Sequence, residues 1–359
     1  MSSGVEPKRN FLNSIRNRVK KDRYFLNFIL FVATFISCII AGTQWAQKDF
    51  SEITNWHFGI TYAILIMTFL TAHEMGHYIA SRIHKVNATL PYFIPMPFPG
   101  FMLFGTMGAM IKTTSPFPSR KSLFDIGAAG PIAGFIVCVI ILIIGYTNLP
   151  TIDFIYKIHP DYMNKGGIIP TTGLYFGDNL LLNFFRNYLA NPSGWLPPMN
   201  EIYHYPFLCV GWFGLFVTTM NMLPLGQLDG GHILYALIGV NQKKVARIVW
   251  YIMLFIGVGA LLGIVENVLS TVDYPYKIYI LLQNLLLPVL KQIKSLAPWY
   301  LQGWGGWLFW ALITRFLIHL PHPEFYFDDE LDTKRKIIGW LTFVIFIISF
   351  SISGIYIIE

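Results

Sequence analysis

Long apolar stretches alternate along the chain with short charged or proline-rich segments. Stretches long enough to cross a hydrocarbon core of about 30 Å occur near residues 24–43, 58–81, 124–146, 205–222, 246–264, 303–320 and 337–358. A spanning segment must satisfy all its backbone polar groups internally, so each stretch is most simply a helix. The pattern therefore predicts an α-helical polytopic membrane protein with about seven transmembrane helices.

Composition and charge agree with a membrane protein. Hydrophobic residues make up 54% of the chain and charged residues only 13%, whereas a soluble domain has about 25% charged residues. The net charge of +7 is concentrated beside the apolar stretches. The largest basic cluster precedes the first stretch: Lys8, Arg9, Arg16, Arg18, Lys20, Lys21 and Arg23. This distribution is typical of a topology signal, so we expect a lipid bilayer as partner, no nucleic acid, and a cytoplasmic N-terminus.

The same pattern divides the chain. We predict a basic cytoplasmic segment at residues 1–23, a retained anchor at 24–43, and an intramembrane core at 55–265 with an external loop at 147–204. Residues 266–359 form the C-terminal part. Within it, residues 274–294 are predicted to be an interfacial amphipathic helix, with a tilted short span as the alternative.

One segment of the core has a composition that disfavours a helix. Residues 86–119 contain six prolines, and Phe104–Lys112 is spaced by glycines. Such a composition favours loop and short strands. Non-helical backbone at membrane depth must be paired or face a watery cavity. We therefore predict a short β-hairpin that dips into the membrane beside such a cavity, a natural wall for a functional site.

The sharpest motif is His73-Glu74-Met75-Gly76-His77, inside the second apolar stretch. Two residues four apart on a helix differ by about 40° in direction, so both imidazoles can face one ion. The glutamate between them can then reach a water molecule on that ion. The motif predicts a metal site within a membrane helix, near its cytoplasmic end.

A catalytic zinc commonly takes three protein ligands and leaves a fourth position open. Asp229 is the best third candidate, because a carboxylate beside a membrane span is costly unless it is paired or bound to metal. We expect Pro224 to interrupt the helix before it and Gly230-Gly231 to let the backbone turn. An aspartate that merely caps a glycine turn is the alternative.

Together, His73-Glu74-x-x-His77 and Asn221-x-x-Pro224-x-x-x-Leu228-Asp229-Gly230 resemble the motifs of the site-2 protease family of intramembrane zinc metalloproteases. The stretches Gly105-Thr-Met-Gly-Ala and His322-Pro-Glu are similar to its bacterial, archaeal and chloroplast branch, here without an evident PDZ domain. The resemblance implies one Zn²⁺ per chain, bound by His73, His77 and Asp229. It also implies Glu74 as catalytic base, and Asn221 as a group that positions substrate or stabilises the oxyanion.

The expected function is hydrolysis of peptide bonds in or near the transmembrane helix of single-pass membrane proteins. A helical substrate must unwind before cleavage, and an open strand edge can pair with the released backbone. Residues 103–112 are the candidate edge, in particular Gly105, Met107, Gly108 and Met110. A zinc transporter and an inactive scaffold that binds helices are the alternatives.

The remaining histidines receive other interpretations. His232 could donate a hydrogen bond to a metal ligand or bind the metal itself, although a helix-start role is favoured. We expect His84, His319 and His322 near cytoplasmic headgroups, and His57, His159 and His204 on the external side. A bacterial inner membrane is the favoured location. The sequence leaves the oligomeric state and the physiological substrate open.

Overall fold

The computed structural model describes residues 6–98, 104–164, 166–271, 276–323 and 329–358, with side chains from residue 24 onwards. Several parts of the predictions lie outside the described residues. These are the basic side chains before residue 24, residue 103 of the candidate strand edge, residues 274–275 of the interfacial segment, and residue 324 after the His322-Pro pair.

The described chain is mainly helical, as expected. Its α-helices are α1 Glu6–Trp45, α2 Ile60–Ile83, α3 Arg120–Thr147, α4 Asp153–Ile158, α5 Pro160–Asn164, α6 Leu180–Tyr188, α7 Pro206–Asn221, α8 Asp229–Ile238, α9 Gln242–Thr271, α10 Lys277–Leu296, α11 Pro298–Leu301, α12 Gly306–Ile313 and α13 Thr333–Ser349. A short 3-10 turn at Ile202–His204 precedes α7.

Four described helical segments are long and apolar enough to cross a membrane: Tyr24–Trp45, Ile53–Ile83, Arg120–Thr147 and Asp229–Thr271. Two predicted spans, 205–222 and 303–320, correspond to the shorter apolar helices Pro206–Asn221 and Gly306–Ile318. At 1.5 Å per residue, the 16 residues of α7 extend over about 24 Å, less than the hydrocarbon thickness. The predicted number of seven spans is therefore not confirmed, although the polytopic helical class is.

The last predicted span, 337–358, is wrong in its second half. Helix α13 ends at Ser349, and Ile355–Ile358 forms strand β4. This strand pairs antiparallel with β3, Gly173–Phe176, in the 147–204 segment. Phe350 is already extended, and Gly354, with a positive φ of 52°, lies in the turn between the helix and the strand. Isoleucine-rich sequence after it favours a strand once a partner edge is available.

The predicted hairpin is present. Strands β1, Tyr92–Pro95, and β2, Thr106–Met110, pair antiparallel. Helix α1 covers the β1 side: the Asn27 side-chain amide donates to the Pro91 carbonyl at 2.7 Å. The rings of Phe31 and Phe93 also meet edge to face. Since β1 lies between α1 and β2, the outer edge of β2 faces the other way, toward the centre described below.

Close helix packing builds the core around α2, α3 and α7. A Cβ added to Gly76 on α2 would lie 2.5 Å from the Ala129 carbonyl oxygen on α3, so only glycine allows this approach. On the other side, Trp212 and Phe213 of α7 are fully buried with Phe69 of α2. This packing holds α2 rigidly between two neighbours.

The C-terminal part packs against α9. The Lys294 ammonium of α10 lies 2.7 Å from the Glu266 carboxylate of α9, while most apolar side chains of α10 are exposed or half-buried. The interfacial position of this helix, and the domain boundaries given above, stay predictions.

Candidate metal centre

The two histidines of the motif lie one turn apart on α2, both buried. Their Nε2 atoms are 3.2 Å apart. The Nδ1 of His77 is 2.6 Å from the Ile126 carbonyl oxygen. A carbonyl only accepts hydrogen bonds, so Nδ1 carries a proton, and Nε2 is the ring nitrogen left to bind an ion. The Nδ1 of His73 is buried and has no hydrogen-bond partner in the described chain.

Asp229 is the first residue of α8 and faces both imidazoles. Its Oδ2 is 3.3 Å from Nε2 of His73, and its Oδ1 is 3.3 Å from Nε2 of His77. The sequence predicts that the two glycines after Asp229 let the backbone turn. They lie within helix α8 instead. A Cβ on Gly230 or Gly231 would overlap the backbone of the loop after α7. The glycine pair therefore allows that loop to approach the start of α8.

The three ligand atoms fit a tetrahedral ion. Zn²⁺ binds nitrogen and carboxylate oxygen at about 2.0–2.2 Å, which separates neighbouring ligand atoms by about 3.3–3.5 Å. The two Nε2 atoms are 3.2 Å apart, and each lies 3.3 Å from one oxygen of Asp229, Oδ2 for His73 and Oδ1 for His77. A neutral imidazole lone pair facing a carboxylate oxygen is unfavourable unless a cation lies between them. His73, His77 and Asp229 thus form a group with the donors and spacing that zinc requires.

Glycines of α3 form a seat for the two imidazoles. A Cβ added to Gly130 would overlap the ring of His77, and one added to Gly134 would lie 3.2 Å from Nδ1 of His73. Small residues on a helix allow close approach of a neighbouring helix. Gly130 and Gly134 in addition leave room for the rings of the centre.

Glu74 and Asn221 reach the same place from different helices. Both line a cavity of about 430 Å³ together with His73, His77 and Asp229. Asn221 is the last residue of α7, and its Nδ2 is 3.4 Å from Nε2 of His73. Glu74 is buried, and the backbone of Ile111 hydrogen-bonds to its carboxylate. The cavity therefore offers a carboxylate and an amide beside the three ligand atoms.

Strand β2 forms one wall of this cavity through Ala109 and Met110. Met107 and Met110 are more than half exposed. Gly108 has a φ of 98° and open space beside its Cα. Gly105 lies before the strand, where a Cβ would come within 2.7 Å of the Ala41 side chain of α1. The four candidate strand residues therefore differ in place: Gly105 packs on α1, and the others lie along β2.

Sequence reasoning missed a pair of histidines behind the centre. His232 lines the cavity, and its Nδ1 is 2.7 Å from Nε2 of His322. His322, which we expected near headgroups, is only 2% exposed and stacks on Tyr235. Burial lowers the pKa of His322. The only sequence signal for this pair was the similarity of His322-Pro323 to the family pattern.

His84 is placed differently from expectation as well. Its Nε2 lies 2.7 Å from the Asp125 carboxylate, which also accepts two hydrogen bonds from Arg335. Arg335 in turn bonds to Asp332, which caps α13. This network joins the end of α2 to α3 and α13, so His84 is half-buried in a structural ion-pair cluster.

A buried group of two histidines and an aspartate among apolar helices, with a glutamate beside it, defines the class of membrane metallopeptidases. The sequence model of peptidase family M50 matches residues 61–264, more than half of the chain. The chain belongs to this family, the site-2 protease family. It is an integral membrane protein of a zinc-dependent metalloprotease family, which confirms the resemblance and the metal expected from sequence.

Curated relatives agree with this assignment. The chain is 28% identical to "Probable zinc metalloprotease EGY1, chloroplastic" of Arabidopsis thaliana over 65% of this chain and 38% of the relative. It is 27% identical to the EGY1 protein of Oryza sativa subsp. japonica over 77% of this chain and 47% of the relative. Thus the chain spans less than half the length of these relatives. No solved structure matches it.

Proposed function

We propose that this protein hydrolyses peptide bonds in or near the transmembrane helix of single-pass membrane proteins. The observation that carries the proposal is the buried triangle of His73, His77 and Asp229, whose spacing fits zinc and which opens into a cavity lined by Glu74. A catalytic zinc site needs an open position beside three protein ligands and a base within reach of it. This centre has both features.

Each residue of the centre has a distinct task in the proposed reaction. His73, His77 and Asp229 would hold Zn²⁺, and the bound ion would supply the Lewis acidity that lowers the pKa of water and polarises a carbonyl. The Glu74 carboxylate accepts the proton of the attacking water and returns it to the leaving amide nitrogen. Asn221 donates from Nδ2 to the carbonyl oxygen as negative charge develops there.

The proposed substrate-binding edge is β2. The Lys112 carbonyl accepts from the Thr89 amide, so Lys112 points toward the β1 side. Backbone groups alternate along a strand, so the N–H groups of Ala109 and Ile111 point away from β1. That direction agrees with the hydrogen bond between the Ile111 backbone and Glu74. An unwound substrate segment can therefore add to β2 with its carbonyls beside the centre.

A zinc transporter would need polar groups along a path through the membrane. Many of the buried side chains packed along α7 between the centre and the opposite end are instead apolar, including Phe69, Leu142, Trp212 and Phe213. A catalytically inactive scaffold would not need Glu74 in the cavity. Hydrolysis is the function that uses every polar group of the centre.

The decisive experiment is cleavage of a panel of single-span substrates in liposomes by the wild type and Glu74→Gln. Glu52→Gln serves as a matched control, because Glu52 is exposed and outside the cavity. We expect Glu74→Gln to retain zinc and to lose about 10²–10⁴-fold in cleavage rate, with the control unaffected. Zinc binding without cleavage of any substrate by the wild type would reject the proposal in favour of a transporter or scaffold.

The location of the membrane and the direction of insertion belong to the same proposal. We propose that the N-terminus and the metal centre lie on the cytoplasmic side, as the basic cluster before residue 24 indicates. Because the curated relatives are named chloroplastic, either a bacterial inner membrane or a plastid membrane is compatible with the centre. Protease protection of tagged termini in sealed vesicles measures the orientation directly.

A further inference from the structure

A second cluster of histidines and a carboxylate lies at the far end of α7. It consists of His159, after α4, and Glu201 and His204, in the turn before α7. The Nε2 atoms of His159 and His204 are 2.9 Å apart. Oε2 of Glu201 is 3.3 Å from Nε2 of His204. Three ligand atoms from three different positions of the chain thus converge on one point.

The buried members of this cluster are held with their ligand atoms turned inward. Nδ1 of His204 is 3.0 Å from the Trp45 carbonyl oxygen at the end of α1. Since that carbonyl only accepts, Nδ1 carries a proton, and Nε2 is the ring nitrogen that faces the cluster. The Tyr162 hydroxyl donates to Oε1 of Glu201 at 2.9 Å. Glu201 and His204 are therefore each oriented by a hydrogen bond to a group outside the cluster.

The other oxygen of Glu201 lacks compensation. Glu201 is 1% exposed and His204 is 3% exposed. Oε2 of Glu201 is buried without a hydrogen-bond partner in the described chain, and Nε2 of His204 faces it at 3.3 Å. Burying an ionised carboxylate costs several kcal/mol unless a positive charge or hydrogen-bond donors compensate it. A cation among the three ligand atoms would supply that charge.

We propose that Nε2 of His159, Nε2 of His204 and Oε2 of Glu201 bind a second divalent transition-metal ion, of the zinc class. Two imidazoles and one carboxylate suit Zn²⁺ and its first-row neighbours, whereas Ca²⁺ and Mg²⁺ require oxygen ligands. The ligand atoms lie within 4.8 Å of one another, so small shifts bring them to tetrahedral spacing. The side chain of His159 is 21% exposed, so this ligand is accessible from the surface.

This site is separate from the first and does not depend on the proposed function. His204 lies just before α7, whereas Asn221 at its other end touches His73. The two centres are therefore about 24 Å apart along the 16 residues of α7. An ion here joins the segment after α4 to the start of α7, and through His204 to the end of α1. Its role is to fasten these three segments.

The test is the zinc stoichiometry of the full-length protein in detergent, after removal of metal with a chelator and reloading with Zn²⁺ alone. We expect two equivalents in the wild type, and one in Glu201→Gln, His159→Ala and Asp229→Ala. The double variant Glu201→Gln with Asp229→Ala should bind none. His57→Ala is the matched control, because this exposed histidine lies outside both clusters, and it should bind two.

A second readout locates the ion. In the Asp229→Ala background, Co²⁺ should give the absorption of a tetrahedral nitrogen and oxygen site, and His159→Ala should remove it. Because the His159 side chain is half-exposed, this variant leaves the buried core intact, and gel filtration checks its folding. One equivalent in the wild type, or two in folded His159→Ala, would overturn the proposal. So would pH-dependent stability without any zinc dependence, which would indicate a shared proton instead.

Discussion

The two ends of α7 present the same ligand types in different surroundings. At one end, His73, His77 and Asp229 open into a cavity with an additional carboxylate from Glu74. At the other end, both oxygens of Glu201 face into the protein, and one is occupied by the Tyr162 hydroxyl. Structural metal sites are closed, whereas catalytic sites keep an open position and a base. The surroundings of the ligands, and not the ligands themselves, distinguish a reactive centre from a fastening one.

The largest expected effect separates the two ends directly. Asp229→Ala removes a ligand of the open centre and leaves two imidazoles without their carboxylate. We expect complete loss of peptide cleavage and loss of one zinc equivalent, while the equivalent at Glu201 remains. Metal analysis and cleavage assays on the same preparation check both. Asp153→Ala, an exposed carboxylate in the 147–204 segment, is the control, and loss of zinc there would contradict the assignment.

The next prediction concerns the seat of the open centre. Gly130→Ala places a methyl group against the ring of His77, so the imidazole must shift away from its partners. We expect zinc affinity at this centre to fall by about 10–100-fold, the usual effect of disturbing the support of a ligand. Competition with a zinc chelator measures it. Gly305→Ala is the matched control, because a Cβ there meets nothing within 4 Å. Equal zinc affinities in the two variants would show that Gly130 does not position the His77 ring.

A smaller effect tests the strand edge of β2 as a binding site for substrate. The cluster at Glu201 has no such edge beside it in our proposal. Ala109→Pro removes one outward N–H without removing a hydrogen bond between β1 and β2. One hydrogen bond is worth about 0.5–1.5 kcal/mol, so kcat/KM should fall by about 2- to 12-fold with zinc content unchanged. Ala109→Val keeps the N–H and should retain wild-type kinetics. Unchanged cleavage by Ala109→Pro would argue against strand addition.

The smallest effect concerns the histidine pair behind the open centre. Burial lowers the pKa of His322 below the ordinary histidine value of about 6.5. The unfolded chain therefore binds more protons below pH 6.5, and stability is lost as the pH falls from that value toward the folded pKa. The slope contributed by one group is at most about 1.4 kcal/mol per pH unit. Thermal melting should depend less on pH in His322→Gln than in the wild type, with His57→Gln showing no such change.

Much of the open centre could be predicted from local sequence. A spacing of four on a helix dictates that His73 and His77 share a face, whatever surrounds them. The apolar stretch around the His73–His77 motif predicts that its polar groups bind a partner such as a metal ion, because unpaired polar groups are costly in a membrane. Asp229 followed from the need for a third ligand and from the resemblance of its neighbours to a known family. Its approach to the two imidazoles is a finding of the structure alone, because 152 residues of chain separate it from His77.

Other features could not be predicted because they depend on distant partners. The strand at Ile355–Ile358 pairs with the edge of β3. Its apolar sequence by itself predicts the end of a membrane helix, because the sequence does not reveal this partner strand. His322 was expected at the surface because nothing in its sequence neighbours reveals His232 as its partner. The cluster of His159, Glu201 and His204 has no motif spacing, since its members meet only after the 147–204 segment folds back on the start of α7.

The sequence by itself determined the membrane class, the family and the residues of the reactive motif, because hydrophobic length and helical periodicity are local properties. Tertiary structure alone decided which side chains surround those residues. It placed glycines of α3 against the imidazoles, the edge of β2 beside Glu74, and a second ligand cluster about 24 Å away along the 16 residues of α7. These arrangements depend on contacts between segments far apart in the chain, which burial of apolar surface stabilises and no local pattern encodes.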